Sequence, residues 1–374
     1  MKKLMVAILQ YLKEAQVLEA GRYYGSIWSE KAWHAPGPDW NKGGAHHFRS
    51  AGSAGLAFWR AGEHQRAEQA FDWLVSCQNP RGGWAEIQNN DRPSDWEYTG
   101  EEELSTIETS FAIRGLASAI LLGLPPKKSY LDSLRKAGLW LLNMETPAWS
   151  GVYPHHERSP FDTPNATMHA CEALSLIYWA LHSVYGIPVH IFRMGAVRAF
   201  RHILSQQQKD GNIPYRFFDG KLISFDLKPV PPQDAPYQAF SGITINYTAL
   251  VLYLMLNAME LGDHDPEAEG KKQAEEFLRK GNDFLVHSIA PDGSLRWDEF
   301  ETSSAKHNLW TCVLVWNVLV RSGRSEAAAR LKSKILSLQT RNGLLPMRDD
   351  DSSVTHCAYM QADMYLFLSE GEKR

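Results

Sequence analysis

Apolar residues recur at helical spacing in twelve stretches of this chain, and the stretches alternate between two kinds. One kind keeps a charged side, as in Glu63, Arg66, Glu68 and Asp72, or Lys271, Lys272, Glu275 and Glu276. These run approximately over 2–19, 64–77, 129–144, 188–207, 267–288 and 325–339. The other kind is apolar nearly all round, as in Ala51, Ala54, Leu56, Ala57, Phe58 and Trp59, or Leu250, Val251, Leu252, Leu254, Met255 and Leu256. These run approximately over 45–61, 104–122, 164–184, 242–261, 304–321 and 353–369. A helix without a broad polar face is buried. Six buried helices alternating with six half-exposed ones predict an all-α fold, a single (α/α)6 barrel or toroid of six helical hairpins, with 1–374 as one domain. Ring closure also explains how one core serves 374 residues, since single cores usually stop growing near about 250–300.

The balance of Lys+Arg 39 against Asp+Glu 43, a net charge of −4, argues against a nucleic-acid partner. Cys77, Cys171, Cys312 and Cys357 are far apart and form no CxxC pair, which points to reduced thiols rather than a disulfide framework or a Cys-rich zinc site. The apolar N-terminal run from Met1 to Leu9 is broken by Lys13 and Glu14 without a cleavage pattern, so it reads as a helix rather than a signal peptide. No stretch reaches the about 18–20 apolar residues of a transmembrane segment, and a cytoplasmic location is expected. The oligomeric state is left open.

The outer helices run into Gly-centred turns: Cys77-Gln78-Asn79-Pro80-Arg81-Gly82-Gly83-Trp84, Gln208-Lys209-Asp210-Gly211-Asn212, Pro291-Asp292-Gly293-Ser294-Leu295-Arg296-Trp297 and Gln339-Thr340-Arg341-Asn342-Gly343. Glycine supplies the left-handed position that stops a helix. The glutamine is placed to hydrogen-bond the neighbouring helix end and tie adjacent hairpins. The stretch from Trp73 to Trp84 resembles the QW repeat of squalene–hopene cyclases, with degenerate copies in other hairpins. Related toroids include protein prenyltransferases, polysaccharide lyases, uronate epimerases and glycosidases. The resemblance implies the toroid across nearly the whole chain, and leaves the chemistry to the site.

Connections from inner to outer helices are short, whereas those from outer to inner are about 14–34 residues long, and loops beyond about 12–15 residues are usually functional. The long ones share the rim where inner helices begin, so the site is expected at that mouth. First turns there carry the candidate catalytic residues His46, His47, Glu108, His169, Tyr247, His307 and His356. The candidate substrate-binding residues are Trp40, Trp84, Trp96, Tyr98, Asn165, Tyr215, Arg216, Asn246, Arg296, Trp297, Asn308, Trp310, Arg348 and Tyr359. Aromatic rings offer flat platforms for sugar faces, and arginines can clamp a carboxylate. The same polar residues also suit helix caps and ties between inner helices. The acidic runs Asp95-Trp96-Glu97 and Asp349-Asp350-Asp351 suit solvated loops.

A polar, aromatic pit with histidine, tyrosine and asparagine fits a carbohydrate-active enzyme on an acidic glycan, of the uronate lyase or C5-epimerase type. Both remove the proton α to a carboxylate and need a base, an acid and donors for the enediolate. A glycosidase would instead rely on carboxylates such as Glu108. The alternatives are a terpenoid cyclase or prenyltransferase-like enzyme, although no DxDD acid occurs, and a non-catalytic toroid that binds a glycan or other partner. No cofactor is expected; His46, His47, His307 and His356 come from different helices and lack a zinc-type spacing, which leaves a bound metal a minor alternative.

Overall fold

The computed structural model describes residues 1–21, 23–28, 48–85, 104–186, 189–215, 217–218, 221–222, 241–262, 268–295, 309–340, 343–346 and 358–372. Six helices form an inner ring: α2 (Phe48–Arg60), α4 (Thr106–Leu121), α6 (Pro164–Tyr185), α8 (Ser241–Glu260), α10 (Leu309–Arg321) and α12 (Ala358–Gly371). Each packs on the next, and α12 returns to pack on α2, so the ring is closed. The outer layer consists of α1 (Lys2–Ala15), α3 (His64–Ser76), α5 (Lys128–Met144), α7 (His190–Leu204), α9 (Ala268–His287) and α11 (Ser325–Ser337). Helices α3, α5, α7, α9 and α11 each pack on the inner helix just before them in the chain. Helix α1 packs on α12, which joins the first element to the last. The (α/α)6 toroid expected from the alternating pattern is the observed fold. None of the helices among the described residues is long and apolar enough to cross a membrane.

The ends of the inner helices follow local chemistry. Ser105 caps α4, its hydroxyl accepting from the Glu108 backbone N–H at 3.3 Å. Pro164 opens α6, where a missing N–H costs nothing, and Gly186 ends it in the left-handed conformation. Two short antiparallel ladders stand at the outer-to-inner connections: β1 (Trp84–Ala85) with β2 (Leu104–Ser105), and β3 (Phe217–Phe218) with β4 (Lys221–Leu222).

The glutamine ties exist, with two corrections. Gln78 Nε2 donates to the Gly82 carbonyl at 2.6 Å and to Ser133 O on α5 at 3.0 Å. In the α7 hairpin the tie is made by Gln207, one residue before the Gln208 of the turn pattern; it donates to Gly211 O at 3.1 Å and Phe277 O on α9 at 2.9 Å. Gln16 does the same toward Arg66 O on α3 at 2.9 Å. The acceptors lie within the bodies of the next outer helices and not at their free ends. The reason is steric: glycine lets the turn sit directly on that helix. A Cβ at Gly82, where φ is +113°, would stand 2.5 Å from Lys136 O.

A second close approach belongs to the inner ring. A Cβ on Gly115 of α4 would lie 2.2 Å from Gly52 O of α2. Glycine here lets two inner helices touch backbone to backbone, which carries the first turn of α2 over that of α4.

Gly82→Ala is expected to destabilise the fold by more than about 1 kcal/mol, because it combines a left-handed φ with a carbonyl clash. Gln78→Ala is expected to cost about 1–2 kcal/mol through two lost hydrogen bonds. Denaturant midpoints of both variants check these values.

Candidate functional site

Helical spacing places one stripe of each inner helix on the barrel axis. On α2 the stripe is Arg49, Ser53, Leu56 and Arg60; on α4 it is Glu108, Phe111, Arg114 and Ser118; on α6 it is Asn165, His169, Glu172 and Leu176. Opposite them stand Tyr253 and Asn257 on α8, Trp310 and Arg321 on α10, and Asp363, Leu366 and Glu370 on α12. The inner helices are therefore not apolar below their first turns, as the sequence pattern implied. They carry a polar column along the axis from one end of the ring to the other.

The upper part of the column is built around Arg49. Its Nη2 donates to Asp363 Oδ2 at 2.6 Å, and its backbone N–H donates to Glu108 Oε2 at 3.1 Å. Asp363 also accepts from Ser53 Oγ at 2.7 Å and from the Trp310 indole N–H at 3.2 Å. The guanidinium lies 3.9 Å from the Phe111 ring centre and 4.4 Å from that of Tyr359. Burial opposes its charge, but Asp363, Tyr359 and Glu108 outweigh this and hold its pKa above the ordinary value. Truncating Asp363 would strand that charge, a loss of about 3–5 kcal/mol in comparable buried pairs.

Beneath it sits His169, fully buried against Phe111 with ring centres 4.7 Å apart. Arg114 Nη2 lies 3.2 Å from His169 Nδ1. A guanidinium has no acceptor, so Nδ1 must accept and the imidazole proton resides on Nε2. Burial, followed by the charges of Arg114 and Arg49, lowers the His169 pKa well below its ordinary value. Its Nε2–H has no hydrogen-bond partner among the described residues, and neither has Asn165 Oδ1 one turn above. Arg114 is in turn held by Glu172, Nε to Oε2 at 2.6 Å. The result is a neutral imidazole whose Nε2 carries an N–H without a partner among the described residues and cannot serve there as a base.

Several expected site residues take other parts. Trp84 is buried, with its indole N–H on Leu74 O at 2.9 Å and its backbone in the β1–β2 ladder, so its ring packs the barrel wall and meets no sugar. Trp310 belongs to the cage around Asp363. Asn246 accepts from Thr311 Oγ1 at 3.3 Å. Tyr215 and Tyr247 stack at 4.4 Å with rings 17° apart. Tyr359 lies against Arg49. His46, His47, His307, His356, Trp40, Trp96, Tyr98, Arg216, Arg296, Trp297, Asn308 and Arg348 lie outside the described residues. Arg49, Arg114, Glu172 and Asp363 were missed by the sequence reading. Their signal is a charge set inside an otherwise apolar stretch, as in Phe-Ala-Ile-Arg-Gly-Leu-Ala on α4. Among the described residues, no group of three or more His, Cys, Asp or Glu side chains is arranged to hold a metal ion.

No family model matches the chain, and no curated protein matches it in sequence. The fold has solved counterparts. A cellobiose 2-epimerase from Spirochaeta thermophila DSM 6192 superposes with a TM-score of 0.69 at 14% identity, over 98% of this chain and 94% of that one. A D-mannose isomerase gives 0.62 at 12% identity, over 98% and 97%. An unsaturated glucuronyl hydrolase specific for heparin gives 0.62 at 11% identity, over 100% and 96%. These are α/α-toroid proteins, and the chain shares their fold over essentially its whole length.

The depressed pKa of His169 makes a sign-specific prediction. The unfolded histidine titrates near 6.5, and the folded one only well below it. Between those values the unfolded chain binds the extra proton, so stability falls as pH drops through about 6.5, by up to about 1.4 kcal/mol per pH unit from this group. Urea midpoints measured from pH 8 to pH 5 should fall more steeply for the native chain than for His169→Gln.

Proposed function

We propose that this chain is a carbohydrate-active enzyme that moves a proton at a carbon next to a sugar carbonyl, in the manner of an epimerase or isomerase. The observation that carries the reading is the neutral, buried His169 with an unpartnered Nε2–H, fixed in that tautomer by Arg114. Removing a proton α to a carbonyl builds negative charge on the carbonyl oxygen, and a preorganised neutral donor in a dry site stabilises it. The role of His169 is thus to donate to the enediolate oxygen. The base belongs to the residues that the sequence sets immediately before α2, α10 and α12: His46, His47, His307 and His356. The resemblance in fold to a cellobiose 2-epimerase and a D-mannose isomerase supports the same class.

The state of the charges narrows the substrate. Arg49 is paired with Asp363, and Arg114 with Glu172, so neither axial guanidinium is left to clamp a uronate carboxylate. A neutral reducing sugar suits this column better than the acidic glycan expected at first; the uronate reading rests on Arg216, Arg296 and Arg348. Asp363 already accepts from Arg49, Ser53 and Trp310, so its oxygens are engaged within the column and ill placed to act as the proton-donating acid of a glycosidase. A charged axis also ill suits a polyprene, whose cyclisation needs a continuous apolar cavity.

Incubation with neutral reducing hexoses and disaccharides in deuterated water tests the reading. Solvent deuterium should enter the carbon next to the carbonyl, with an epimer or ketose appearing, and His169→Ala should slow this by about 10²–10³-fold. Release of new reducing ends, or an unsaturated product from a uronate polymer, without such exchange would overturn it.

A further inference from the structure

The inner helices finish around a cavity of about 450 Å3 at the end of the ring opposite their N-termini. This size falls within the range of small-molecule sites. Its polar lining includes Arg60, Arg114, Glu172, Asn257, Arg321 and Glu370. Cations and carboxylates alternate around it. Arg60 Nη1 donates to Glu370 Oε1 at 2.8 Å, and Tyr253 Oη donates to Glu370 Oε2 at 3.0 Å. Asn257 donates to Glu172 Oε1 at 2.5 Å and accepts from Arg321 Nη1 at 2.7 Å. Arg321 Nη2 pairs with Glu260 Oε1 at 3.0 Å, and Arg60 Nε is buried without a hydrogen-bond partner among the described residues. Acceptor capacity is left over, since each oxygen of Glu370 accepts one bond in this network, whereas Glu172 Oε2 takes both Nε and Nη2 of Arg114. Leu176 and Leu366 supply apolar wall between the polar groups.

We infer that this lower cavity is a second binding site, separate from the upper column, for a neutral polyhydroxylated ligand of about one or two sugar units. A simple anion brings only acceptors and meets the carboxylates, and a simple cation brings only donors and meets the guanidinium groups. A hydroxyl both donates and accepts, so a polyol bridges adjacent members of the array while every ion pair stays intact. The leucines receive its C–H faces. A zwitterion would match the charges but would have to break pairs already closed at 2.6–2.8 Å. Arg114 lines this cavity and also holds His169, so an occupant touches the group that sets the imidazole tautomer.

Ser118 lines the same cavity and is half-buried, which makes Ser118→Cys a reporter. Iodoacetamide labelling at position 118 in the full chain, read by peptide mass, should slow severalfold in saturating D-glucose. Sodium sulfate and glycine betaine should leave the rate unchanged. The protection should persist in Ser118→Cys combined with His169→Ala, which separates this site from the upper one whatever the fate of the proposed reaction. In the unsubstituted chain, the Asn257 side-chain amide resonance should shift on addition of D-glucose. Absence of protection and of a shift, equal protection by sulfate or betaine, or loss of protection with His169→Ala would each overturn the inference.

Discussion

A charge taken into the middle of a closed helical ring loses its hydration, and only a partner at hydrogen-bond distance offsets that cost. The axis of this toroid obeys that constraint throughout. Arg49 meets Asp363, Arg114 meets Glu172, and Arg60 meets Glu370. Each pair joins two neighbouring inner helices, α2 to α12 or α4 to α6, so the pairs also hold adjacent helices of the ring in register. The apolar faces of those helices are thereby turned outward, against the second layer.

The same pairing governs the chemistry available. With its cations neutralised, the column offers no strong field for an anionic substrate, and among the described residues on the axis it presents one uncharged imidazole, His169. Arg114 acts twice, pairing with Glu172 through Nε and Nη2 and contacting His169 Nδ1 through Nη2. A lysine there would supply a point charge without that fork. The upper column and the lower cavity thus share one residue, and the barrel has polar ground at both ends rather than at the mouth alone.

The architecture was legible in the sequence because it is written locally. Helical periodicity separates outer from inner helices, and most observed boundaries fall within a few residues of those read from the pattern. Glycines such as Gly82 mark where the chain must turn. The axial column was much less legible. His169, Glu108 and Tyr359 stood out as polar residues in first turns, but Arg114 and Glu172 sit deep in apolar stretches and find each other only across 58 positions of chain. Reading each inner helix alone averages one polar stripe into an apolar whole. Trp84 misled for the opposite reason: an aromatic beside a glycine turn has the same composition whether it faces a ligand or, as here, packs on Leu74 and the ladder.

The account rests most directly on where the His169 proton resides. Nitrogen NMR of the imidazole side chains, with His169 assigned by its loss in His169→Gln, measures this in solution. The structure requires an unprotonated Nδ1 and a protonated Nε2, and a ring that stays neutral well below the ordinary histidine midpoint of about 6.5. A proton on Nδ1, or an imidazolium already formed at pH 6, would contradict the Arg114 contact and the donor role built on it.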